Sequence, residues 1–168
     1  MQLPVGAVDA TALIEVVKIS ALPTERGAPC PGEVVAQWAG SEATDALASI
    51  ESLPGSEQHR CGFAPGWGVR AYDDSLDLAL FEAAFCFHCH EVRTHGPAVP
   101  PALTTQFFDA DAPQARALLE LFRASAVTAG DTRRDGPHAP EASSPPLVIA
   151  AHRPGAARLW RSHGRGPE

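Results

Sequence analysis

The chain is poor in lysine and methionine. Lys18 stands alone against twelve arginines, and Met1 has no second. The arginine bias, with abundant alanine, points to a GC-rich bacterial genome. Lacking an internal methionine, the chain lacks the usual distal ligand of a c-type haem. No apolar run approaches the roughly 20 residues needed to span a bilayer. The opening MQLPVGAVDATALIEVV has no basic start and carries Asp9 and Glu15 where an apolar core would be, so a secretory signal is not expected. The cytoplasm is the expected compartment. There, structural disulfides are rare, and clustered cysteines bind metal, do redox work or stay as thiols. A glycine-rich phosphate loop and a G-x-S-x-G elbow are also missing, and no acid is placed to orient a Cys–His pair, so catalysis is not expected.

What is present suits one domain of ordinary size. The chain has 168 residues, 45% of them hydrophobic, enough for a real core. Sixteen prolines and fourteen glycines argue against long unbroken helices. Charge is uneven. Residues 1–130 hold 7 basic and 16 acidic side chains, whereas residues 131–168 hold 6 and 4. An acidic body repels phosphate backbones, which disfavours nucleic acid as a partner. A protein partner is left open.

Residues 13–19 are rich in β-branched side chains and read as a strand, with 33–38 as a second. Ser41 is placed to cap a helix over 42–53, which Pro54-Gly55 ends. Residues 67–72 read as a strand, Asp73-Asp74-Ser75 as a turn, and the apolar stretch 76–87 as a central strand. Arg70 pairs best with Glu82 across that hairpin. Phe107-Phe108 suggests an edge strand. Asp111 and Pro113 open a helix over 112–124, whose buried face carries Ala115, Leu118, Leu119 and Phe122. The expected fold is α+β: a small, mostly antiparallel sheet with two helices on one face, over residues 1–125. Residues 126–168 read as a Pro/Gly/Arg-rich tail, mostly disordered, with one weak β segment at Leu147 to Ile149.

The chemistry lies in Cys61 and the run Cys86-Phe87-His88-Cys89-His90. Thiolate sulfur and imidazole nitrogen suit soft or borderline metals. Cys61, Cys86 and Cys89 with His90 or His59 offer the four N/S ligands of a structural zinc site, at the spacing C-x24-C-x2-C. A second C-x-x-C is missing. In a continuous strand, Cys86, His88 and His90 would instead share one face. Cys86 and Cys89 meet only if the chain turns at Phe87-His88. A hairpin of 61–72 with 76–89 would then bring Cys61 to the same end. Two further readings use the same residues. Cys86 and Cys89 can form a redox dithiol, although nothing helical follows to lower a thiol pKa. The C-x-x-C-H spelling also matches c-type haem attachment, which the missing export signal disfavours. The plain structural reading is that the cysteines are small buried hydrophobes. Cys30, in a Pro-Cys-Pro loop, lies outside all of these.

Arg60-Cys61, Phe63 to Trp67, Val69-Arg70 and Cys86-Phe87-His88-Cys89 together resemble a group of short, uncharacterised bacterial proteins. They share a Cys, a Pro-Gly turn, a strand with Arg and a Cys-Phe-x-Cys core. The resemblance covers roughly a quarter of the chain or less. It implies Cys61/Cys86/Cys89 as the recurring unit, without His90, and brings no activity with it. The expectation is a small cytoplasmic, non-catalytic α+β protein able to hold structural zinc through Cys61, Cys86, Cys89 and His90. A thiol redox protein and a c-type haem protein are the alternatives.

Overall fold

The computed structural model describes residues 1–23, 28–59 and 61–132. Six antiparallel strands form one sheet: β1 (Leu13–Ile19), β2 (Gly32–Ala39), β3 (Trp67–Tyr72), β4 (Phe81–Cys86), β5 (Glu91–His95) and β6 (Thr105–Phe107). Their spatial order is β2-β1-β3-β4-β5-β6. Three helices accompany them: α1 (Val5–Ala10), α2 (Ser41–Glu51) and α3 (Pro113–Thr132). The α+β architecture is thus the expected one, with a larger and wholly antiparallel sheet.

The alternation of side chains decides which face is core. Ile14 and Val16 of β1, Val69 and Ala71 of β3, Phe81, Ala83 and Phe85 of β4, and Val92 of β5 point one way into a single apolar cluster. Ala43, Ala46, Leu47 and Ile50 of α2 and Ala115, Leu118 and Phe122 of α3 close it from above. Phe122 is the hub. Its ring lies 5.8 Å from those of Trp67 and Phe85 and 6.3 Å from that of Trp38. Stacked and tilted aromatic pairs at such distances add to the burial of each ring.

The opposite face carries Glu15, Val17, Arg70, Glu82, Ala84, Cys86, Glu91, Arg93 and His95 by the same alternation. No helix covers it. Yet all six residues of β4 are buried, because loop segments lie over this side. One of them is pinned by Cys30. Its N–H donates to Glu82 Oε1 at 2.7 Å, and its carbonyl accepts from Arg70 Nη2 at 2.8 Å.

Several local expectations shift. The expected strand 76–87 is regular only over 81–86. Leu76 takes a left-handed φ of 58°, and Asp73 Oδ1 accepts from the Ser75 N–H and hydroxyl, so turn chemistry overrides the apolar pattern. Ser41 does not cap α2. Gly40, at φ 57°, holds that position without a side-chain bond. The edge strand falls at 105–107, with Phe108 in a bridge to Gly55. Helix α3 runs past position 126, where the tail was expected to start. The rest of that tail, including Leu147 to Ile149, lies outside the described residues. Among the described residues, no helix is long and apolar enough to cross a membrane.

Candidate thiol centre and adjacent cavity

Cys86 is the last residue of β4, and Glu91, its register partner, is the first of β5. The four residues between them, Phe87 to His90, make the turn. His90 closes it with φ 57°, a left-handed conformation that is uncommon outside glycine and in which His, like Asn and Asp, is enriched. This tight reversal folds the C-x-x-C pair onto itself. Cys86 Sγ lies 2.8 Å from Cys89 Sγ, and the Cys89 N–H donates to Cys86 Sγ at 3.3 Å. The chain therefore turns at Phe87-His88, and no strand face gathers Cys86, His88 and His90.

Cys61 arrives from the segment leading into β3. Its sulfur is joined to that of Cys89, with the two Cα atoms 5.7 Å apart. Cys89 Sγ also lies 2.9 Å from the Gly62 carbonyl oxygen. Exposure differs sharply across the group. Cys86 and Cys89 are buried, whereas Cys61 is exposed. Three of the four predicted ligands thus meet at one point, Cys86 from the end of β4, Cys89 from the β4–β5 turn and Cys61 from the lead-in to β3.

The fourth, His90, shares the turn but is engaged elsewhere. Its Nδ1 accepts the Ala110 N–H at 3.2 Å, and its Nε2 stands 4.0 Å from Asp111 Oδ2. The ring stacks on that of His59 at 4.1 Å. His88 is exposed. With Cys61 and Cys89 joined, no group of three or more His, Cys, Asp or Glu side chains is arranged to hold a metal ion among the described residues.

Cys30 is a different kind of thiol. It is free and buried, and its pKa is pushed up to about 11, first by burial and then by the charge and hydrogen bond of Glu82. Such a group is inert near neutrality. Arg70 keeps its proton more firmly than usual. Burial works against its charge, but the Glu82 carboxylate outweighs that.

Beside the thiol centre the outer face of the sheet holds an open cavity of about 1080 Å³. Cys61 and Phe63 line one side of it and Cys30 another, over a floor that includes Ala84, Arg93 and His95. Local sequence patterns gave no sign of it, because its walls come from segments far apart in the chain.

No family model, curated protein or solved structure matches the chain.

Proposed function

We propose that Cys61, Cys86 and Cys89 form a thiol–disulfide exchange centre in a small protein of the cytoplasm. One observation carries the reading: a third, free sulfur touches a sulfur that is already bonded. A structural staple needs two cysteines. Cys86 is free and buried, and its sulfur touches that of Cys89, one member of the Cys61–Cys89 pair. As a thiolate, Cys86 can attack Cys89 Sγ. A Cys86–Cys89 bond then forms, the Cys61–Cys89 bond breaks, and Cys61 leaves as the thiolate. No electrons are gained or lost, and the free thiol moves from a buried to an exposed position. In a reducing compartment, a disulfide is most often a transient, working one.

Disulfide mapping tests this. Wild type held at about pH 9, where thiolates are abundant, should yield both the 61–89 and the 86–89 linkages. Cys86→Ser should yield 61–89 alone. A single linkage in wild type under all conditions would count against exchange.

A second reading is favoured by the number of sulfurs. Three thiolates with an imidazole suit zinc, and the stacked pair of His59 and His90 stands beside Cys61 and Cys89. In this state the cluster is fully reduced, and zinc ties the ends of the β3–β4 hairpin together. Metal analysis with thiol counting separates the readings. About one zinc and four thiols per chain, with a chelator lowering the melting temperature of wild type but not of Cys61→Ser, supports zinc.

A further inference from the structure

The cavity beside the cysteines is more specific than a gap between loops. Arg93 lines it and is held in a fixed pose. Its Nε donates to Glu91 Oε1 at 2.7 Å, and its guanidinium carbon sits 4.0 Å over the ring of Phe63. Among the described residues only Nε is taken, so both Nη groups are open to an acceptor. A guanidinium clamped at one edge and one face presents a pre-set two-donor fork, the geometry that matches a carboxylate. Phe63 is two residues from Cys61, and both line the same cavity as Arg93. His95, on the same floor, has its Nε2 3.7 Å from buried Glu82. Ala84 and Phe107 supply apolar surface for the rest of a small molecule. The volume is of the size that small-molecule sites take.

We propose that this cavity binds a small thiol that carries a carboxylate, with Arg93 holding the carboxylate and Cys61 as the exchanging sulfur. The inference rests on the exchange reading above. Cys61 is the only sulfur of the three that solvent reaches, so an incoming thiolate meets it first. The ligand sulfur bonds to Cys61 Sγ, the Cys61–Cys89 bond breaks, and Cys89 leaves as the thiolate. Cys89 then takes up a proton, and its thiol can donate to the Gly62 carbonyl already in contact. A second ligand thiolate attacks the ligand sulfur of the mixed disulfide, releasing the oxidised ligand dimer and the Cys61 thiolate. Two thiols are oxidised and one protein disulfide is reduced, so electrons balance.

The test compares 3-mercaptopropionate with neutral 2-mercaptoethanol as reductants of the oxidised full chain. Each rate is divided by that thiol's rate with a small soluble disulfide, which removes intrinsic reactivity. The acid should be favoured by about tenfold, Arg93→Gln should erase the preference, and Arg93→Lys should keep part of it. Wild type gives an independent readout: 3-(methylthio)propionate, which cannot exchange, should slow reduction by the acid. Equal corrected rates in wild type, with no inhibition by the thioether, would overturn the ligand class and leave the exchange centre standing. Failure of both thiols to reduce the pair would overturn the exchange centre, and this inference with it.

Discussion

Arg70 and Glu82 stand opposite each other on β3 and β4, and the guanidinium Nε meets the carboxylate at 2.7 Å. Glu82 is 3% exposed. The pair does more than cancel charge. Each partner also holds one backbone group of Cys30, Glu82 its N–H and Arg70 its carbonyl, so an ion pair on the sheet pins a loop above it.

Glu82→Gln should therefore strand Arg70 and loosen the loop together. We expect a loss of about 3 kcal/mol in urea denaturation, because the Arg70 guanidinium then keeps only the more distant Glu15 carboxylate, at 4.0 Å. The double variant Arg70→Met/Glu82→Leu should recover part of this, since the buried pair is replaced by apolar side chains and Glu15 keeps its hydrogen bond from the Tyr72 hydroxyl.

Cys30 should resist alkylation at pH 8.5 in the native chain and become reactive only as pH approaches about 11. The sign for stability follows. The unfolded thiol ionises first as pH rises, so between its ordinary value of 9.0 and about 11 the folded state holds more protons. Stability contributed by the neutral thiol is full below pH 9 and falls as pH climbs through that window. Cys30→Ala should flatten this part of the stability–pH curve, as read by melting temperatures.

Gly96 follows β5 with φ 134°, and a Cβ there would lie 2.7 Å from the Leu80 carbonyl oxygen and 2.8 Å from the Phe81 Cα. Both obstacles are backbone. Gly96→Ala should cost more than about 1 kcal/mol from the conformation alone, with about 1–3 kcal/mol of overpacking added. Gly6→Ala is the control. Nothing lies within 4 Å of its Cβ, and as a helical position it should be neutral or gain up to about 1 kcal/mol. Chemical denaturation of the two variants measures the contrast.

Thr94 is 2% exposed, and its Oγ1 has no hydrogen-bond partner among the described residues. Its side chain shares the core face with Val92. Thr94→Val keeps the branched shape and removes the orphaned hydroxyl. The variant should be as stable as wild type or up to about 2 kcal/mol more so, read from the urea midpoint.

Much of the frame was legible because its signals are local. The β-branched run of β1, the amphipathic spacing of Ala115, Leu118 and Phe122, and the two charges in facing strands each name their partners by period alone. The meeting of Cys61 with Cys86 and Cys89 followed from a hairpin of equal arms. Other parts were hidden for physical reasons. LDLAL reads as strand, yet Leu76 and Leu78 are exposed at 53% and 76%, because an Asp-Ser turn governs that stretch. Helix α1 has six residues and no side-chain cap, too short for a periodic signal. The orientation of His90 depends on Ala110, twenty residues away. The latch on Cys30 and the cavity are products of tertiary packing, which no window of sequence contains.

Strand β1 lies between β2 and β3, and this placement bears on how the chain reaches its native state. Pairing β1 with β3 joins residues about 50 positions apart, as in Lys18 with Trp67, whereas β3, β4, β5 and β6 each pair with their next neighbour in sequence. Contacts of low sequence separation form at less entropic cost. The β3–β6 meander can thus order itself ahead of the long-range closure. Cys61, Cys86 and Cys89 all belong to that early unit or its lead-in, so the three sulfurs can find one another before the sheet is complete.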